Sequence, residues 1–105
     1  MANWIDVGSA DSFAPGSKTC RSAGEVALVI CHVAGQIHAV LNVCPHAALP
    51  LGDGQLSGKV LTCPFHGFAF NVESGQNVDF PDDMALSKFP TRTTADGRVE
   101  VDLDG

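Results

Sequence analysis

The chain has 105 residues, 45% of them hydrophobic, enough for one compact domain with one core and too few for a second catalytic domain. Six basic residues stand against twelve acidic ones, and the net charge of -6 argues against a nucleic-acid backbone or an anionic membrane surface as partner. Such a surface aids solubility and can steer a basic partner protein.

The opening residues, MANWIDVGSAD, carry neither a positively charged lead nor an apolar run, so they do not read as a signal peptide. Val26 to Ala34 is the most apolar stretch; it is far shorter than the roughly 20 residues of a membrane helix and is interrupted by His32. The expectation is a soluble, cytoplasmic protein with no membrane partner. Four cysteines in that compartment favour metal binding over a disulfide framework.

Strand signals dominate, and no window of about a dozen residues carries a helical stripe. Trp4 to Val7 reads as a first strand, and Ser9 to Phe13 as one turn of helix before the Pro15-Gly16 turn. Lys18 to Ser22 is a second strand. Glu25 to Val33 and Gln36 to Val43 are β-rich runs joined by Ala34-Gly35, which reads as a hairpin. With a two-residue turn, Val26, Leu28 and Ile30 share a face with Ile37, Ala39, Leu41 and Val43, the expected core face. The opposite face sets Ala27, Val29, Cys31 and Val33 beside Gln36, His38 and Val40, a mixture expected to be only partly covered.

Beyond Val43 the pattern breaks into a loop from Cys44 to Gly52, then turns at Asp53-Gly54 and Ser57-Gly58 flanking Gln55 and Leu56. Lys59 to Thr62 and Phe68 to Val72 read as strands, Ser74-Gly75 as a turn, and Asn77 to Met84 as a loop. Leu86 to Thr93 and Arg98 to Leu103 form a closing hairpin around Ala95-Asp96-Gly97. Short strands between Gly-rich turns predict an all-β sandwich or barrel, with no internal repeat or linker.

Two cassettes interrupt this pattern, Cys44-Pro45-His46 and Cys63-Pro64-Phe65-His66-Gly67, together reading C-x-H-x16-C-x2-H. Each offers one thiolate and one imidazole from a turn. The prolines fix φ, and Gly67 is expected to let the backbone pass close to a metal. From the residues alone two metal centres are open: a mononuclear structural zinc, or a [2Fe-2S] cluster in which two histidines replace two cysteines on one iron. Zinc loops more often pair like ligands within a cassette, whereas each cassette here mixes them.

The motif resembles that of the Rieske family, which it matches at Cys44, His46, Cys63 and His66. The Ile37-His38-Ala39-Val40 strand, Phe70-Asn71, Ser74-Gly75 and the terminal hairpin also resemble Rieske ferredoxin landmarks. The resemblance implies a single domain, a Rieske-type antiparallel β-sandwich base with a small cluster-binding subdomain at approximately residues 43–76. It implies one [2Fe-2S] cluster held by those four residues. It further implies a monomeric one-electron carrier, without catalytic residues, between a flavoprotein NAD(P)H reductase and the terminal oxygenase of an aromatic-hydrocarbon dioxygenase system. The alternative is the small subunit of an assimilatory NAD(P)H nitrite reductase. No Gly-rich dinucleotide fingerprint is present.

Ligand charge shapes the expected chemistry. Two thiolates leave a cluster about two units less negative than four would, so the potential rises. Thiolates favour ferric iron and neutral imidazoles ferrous iron, so the electron is expected on the iron held by His46 and His66, with the imidazoles as its exit and their outer nitrogens coupling potential to pH. Rieske proteins of respiratory and photosynthetic complexes add a cysteine to each cluster loop; here Leu49 and Phe65 stand at those positions, so no loop disulfide can form. Phe68 and Phe70 stand where those relatives place Ser and Tyr hydroxyls, and neither can donate to sulfur. The expected midpoint therefore lies near the lower end of the roughly -150 to +300 mV range.

Phe65, Ala47, Ala48 and Leu49 are candidates for an apolar rim that docks a partner or shields the cluster. Cys20 and Cys31 read as small core or edge residues, His32 and His38 as structural, and Asp82 and Asp83 as solvated loop acids.

Overall fold

The computed structural model describes residues 2–44, 50–64, 67–82 and 85–104. In chain order the elements are β1 (Trp4–Ser9), a 3₁₀ turn (Ala10–Ser12), β2 (Lys18–Ala23), β3 (Val26–Val33), β4 (Gln36–Leu41), β5 (Gln55–Ser57), β6 (Val60–Thr62), β7 (Ala69–Asn71), β8 (Lys88–Phe89), β9 (Thr91–Thr93) and β10 (Arg98–Asp102). They build three antiparallel sheets with strand orders β1-β10-β9, β2-β3-β4-β8 and β5-β6-β7. Among the described residues no helix is long and apolar enough to cross a membrane.

The β3–β4 hairpin has the expected register, with Leu28 opposite Leu41, Ile30 opposite Ala39 and Val33 opposite Gln36. Its turn residues Ala34 and Gly35 have φ of +50° and +81°, both in the left-handed region that a two-residue hairpin turn requires. Alanine is the strained member of the pair, because its Cβ crowds the following carbonyl there.

The face carrying Leu28, Ile30 and Ala39 packs against Val7, Phe13, Ala23, Val99 and Val101, as expected for the core. Val43 leaves that face: β4 stops at Leu41, the Val43 N–H donates back to the Leu41 carbonyl at 2.8 Å, and Val43 turns outward with 38% exposure. The opposite face is covered far more than its composition suggested. Val29, Cys31 and Val40 are fully buried in a second core with Leu51, Leu61, Phe70, Val72 and Leu86. The four-stranded sheet is thus a middle layer, and its second face is closed by the β5-β6-β7 sheet.

Two further differences have local causes. Gln55–Ser57 is a strand paired to β6 rather than an interval between turns; it is too short and polar to show a pattern. The expected Leu86 to Thr93 strand divides at Pro90, which has no N–H to continue a ladder. Lys88 and Phe89 pair with β4, whereas Thr91 to Thr93 pair with β10 in the other sheet. The crossing is held by Thr91 Oγ1 donating to the Ile37 carbonyl at 2.8 Å and by the Asp102 N–H donating to the Pro90 carbonyl at 3.0 Å.

Lys18, Cys31 and His38 lie opposite one another across β2, β3 and β4. Burial pushes the Cys31 thiol up to about 11, so it stays protonated and unreactive. The His38 Nε2 is buried with no hydrogen-bond partner among the described residues. Burial, then the Lys88 charge, hold its pKa below the ordinary 6.5 against an opposing pull from Glu73.

Two outcomes are expected. Ala34→Asn, which tolerates the left-handed region, should raise stability by about 0.5–1 kcal/mol in urea titrations. Because native His38 takes up its proton at lower pH than unfolded histidine, the unfolded chain binds more protons as the pH falls through about 6.5, and stability drops there. The urea midpoint should fall on acidification from about pH 7.5 to 5.5, and less steeply in His38→Gln.

Candidate metal centre

The two cysteine-bearing loops leave the ends of strands. After β4, the Asn42 N–H still reaches the Ala27 carbonyl at 2.9 Å, and the turn at Val43 carries Cys44 inward. Cys63 follows β6 directly. Its N–H donates to the Phe68 carbonyl at 2.7 Å and its carbonyl accepts from the Gly67 N–H at 3.1 Å, so the second loop closes on itself. Gly67 has φ +70°, and a Cβ there would meet no atom within 4 Å. Backbone conformation therefore accounts for this glycine among the described residues.

Cys44 and Cys63 are 0% and 1% exposed and belong to the same buried cluster as Leu51, Leu61 and Phe70. No disulfide involves either of them, nor Cys20 or Cys31. A cavity of about 370 Å³ opens beside Cys63, lined also by Asp53, Gly54, Gln55, Thr62, Pro64 and Gly67. His46 and His66 lie outside the described residues, as do Ala47, Ala48, Leu49, Phe65 and Asp83. Among the described residues no three His, Cys, Asp or Glu side chains gather as a metal set, and of the four candidate ligands only Cys44 and Cys63 are described.

The chemistry of that pair suits a soft metal. A bound cation holds a ligating thiol deprotonated. Thiolates select zinc and iron–sulfur centres. Two buried thiols from separate loops fit the cysteine half of a mixed-ligand [2Fe-2S] site. Phe70 is fully buried and Phe68 packs against the same cluster; neither side chain carries an O–H or N–H donor.

The remaining candidates take structural places. The His32 Nδ1 lies 2.8 Å from the Phe13 carbonyl, and its peptide is bracketed by Gly16 and Ser17. Cys20 is exposed on β2, Cys31 is buried on β3, and Asp82 is exposed. Sequence reasoning missed Asn77, which is 1% exposed and whose Oδ1 accepts from the Asp79 and Phe80 N–H groups at 2.9 and 3.0 Å. An Asn two residues before an Asp is a recognisable turn signal. It holds a loop that turns Phe80 outward at 60% exposure. Sequence reasoning also gave Gly54 only a turn role, whereas a Cβ there would sit 1.9 Å from the Thr62 carbonyl oxygen.

The profile of the Rieske [2Fe-2S] domain matches residues 3–90. The ferredoxin CarAc of Metapseudomonas resinovorans is 34% identical over 99 residues, covering 93% of this chain and 92% of that protein. A chain in the solved complex of reduced oxygenase and oxidized ferredoxin in carbazole 1,9a-dioxygenase superposes with a TM-score of 0.84 at 33% identity, over 94% of this chain and 92% of that one. The structure of a putative NADH-dependent nitrite reductase small subunit from Mycobacterium tuberculosis superposes equally, TM-score 0.84 over 97% and 96% of the two chains, but at 23% identity this likeness shows the fold alone. With its strand layers, its buried thiol pair and a profile spanning most of its length, the chain belongs to the Rieske [2Fe-2S] domain family.

Proposed function

We propose that this chain is a one-electron carrier holding a single Rieske-type [2Fe-2S] cluster on Cys44, His46, Cys63 and His66, passing electrons from a flavoprotein NAD(P)H reductase to a terminal oxygenase. The observation that carries the proposal is the burial of Cys44 and Cys63 in one core at the roots of two cassettes that each add a histidine. A relative named as a ferredoxin, and a solved ferredoxin and oxygenase complex with a similar chain, support the choice of partners. In this reading residues of approximately 43–76 act as the cluster-binding subdomain, and the protein works as a cytoplasmic monomer.

When bound, the cluster supplies reversible one-electron chemistry. The chain's own contribution is electrostatic and steric. Leu51, Leu61 and Phe70 keep water from the two cysteine sulfurs, and two neutral imidazoles in place of two thiolates make the ligand set less negative. Phe68 and Phe70 offer sulfur no side-chain donor, which keeps the potential low. The net charge of -6 suits partners with basic docking surfaces. A nitrite reductase small subunit is the second reading; the Mycobacterium tuberculosis protein shares the fold alone.

The purified protein should be coloured, contain iron and acid-labile sulfide, and give a mixed-ligand EPR spectrum on reduction, with a midpoint in the lower half of the roughly -150 to +300 mV range. NADH should reduce it through an oxygenase-system flavoprotein. A colourless protein with one zinc defeats the cluster, and electron delivery only to a sirohaem enzyme favours the second reading. Cys44→Ala and Cys63→Ala should each lose the iron and sulfide, whereas His46→Cys or His66→Cys should lower the potential of any cluster that assembles. An unchanged potential in a fully assembled variant defeats the histidine assignment.

A further inference from the structure

Between the two cassettes runs Gly52-Asp53-Gly54, and neither glycine has a positive φ. Their identity is dictated by space. A Cβ on Gly52 would lie 2.3 Å from the Cys20 Sγ and 3.4 Å from both side-chain polar atoms of Asn42. On Gly54 it would meet the Thr62 carbonyl oxygen at 1.9 Å and the Leu51 carbonyl oxygen at 3.1 Å. One glycine is pressed against the four-stranded sheet and the other against the backbone just before Cys63.

Gly52 is also held at both ends of its polar backbone. Its N–H donates to the Asn42 Oδ1 at 2.7 Å, and its carbonyl accepts from the Lys18 Nζ at 2.6 Å. Lys18 and Cys20 belong to β2, while Asn42 stands just past β4 and two residues before Cys44. The Gly54 N–H donates to the Leu51 carbonyl at 2.9 Å, which keeps the two contacts close along the chain. A solvated surface turn needs none of this, since water would satisfy the Gly52 peptide.

We propose that Lys18, Asn42 and the Gly52-Asp53-Gly54 segment form a positioning clasp that sets the Cys44 loop against the Cys63 loop and so fixes the spacing of the two thiols. The proposal rests on the reading of Cys44 and Cys63 as ligands. Asn42 ties the first loop to Gly52, Lys18 ties Gly52 to the sheet, and Gly54 abuts the peptide that leads into Cys63. None of these residues is a ligand; each acts through the loops.

The test uses the full purified chain in four forms: wild type, Lys18→Met, Asn42→Ala and Asn42→Asp, the last keeping an acceptor for the Gly52 N–H. Iron release to a chelator should be at least tenfold faster in Asn42→Ala and Lys18→Met, equivalent to about 1.4 kcal/mol, with a shifted or broadened EPR spectrum of the reduced protein. Asn42→Asp should stay near wild type. Alkylation by iodoacetamide, resolved by mass spectrometry, should accelerate at Cys44 and Cys63 but not at the buried Cys31, which reports opening of the sheet itself. Unchanged release, spectra and alkylation in both disruptive variants overturn the clasp, and so does equal acceleration at Cys31. A wild-type chain purified without iron or sulfide defeats the ligand reading, while the alkylation pattern still decides the clasp.

Discussion

The β3–β4 hairpin is apolar on both faces, and that constraint organises the molecule. Leu28, Ile30 and Ala39 require cover on one side, and Val29, Cys31 and Val40 on the other, each large side chain gaining roughly 1.5–3 kcal/mol by full burial. A two-layer sandwich would leave one set wet. The chain instead supplies a sheet to each side, and the second is the one from which the Cys63 loop projects. Both cysteines therefore sit in a core the hairpin needs for its own stability, so the proposed metal centre and the fold draw on the same apolar cluster.

That shared core also surrounds both proposed cysteine ligands. Cys44 and Cys63 are buried among Leu51, Leu61 and Phe70, and thiolates are good ligands for a soft cation. Cys31, buried in the same cluster, is pushed up to about 11 by that burial and serves packing alone. The difference between Cys31 and the cassette cysteines is one of position: Cys31 lies within β3, whereas the others lie where strands end and loops can bring further ligands.

Connections between layers are made by residues with special backbone properties. Pro90 cannot continue a ladder and so marks where the last strands change sheet. Gly52 and Gly54 let separate segments approach closer than any Cβ would permit. Asn77 supplies from its side chain the acceptor that two loop N–H groups lack.

The strand content, the hairpin register and the two cassettes were legible in the sequence, because alternation, turn chemistry and ligand spacing are local properties. Leu28 falls opposite Leu41 for reasons contained within the hairpin itself. The candidate ligands were equally plain from Cys44, His46, Cys63 and His66, although only the two cysteines lie among the described residues. What tertiary structure alone decided was burial and approach between distant segments: that Val29 and Cys31 are covered, that Val43 is not, that Pro90 divides a strand between sheets, and that Gly52 and Gly54 answer to Cys20 and Thr62. A sequence window records which side chains could be buried, but what covers them depends on chain that returns from far away.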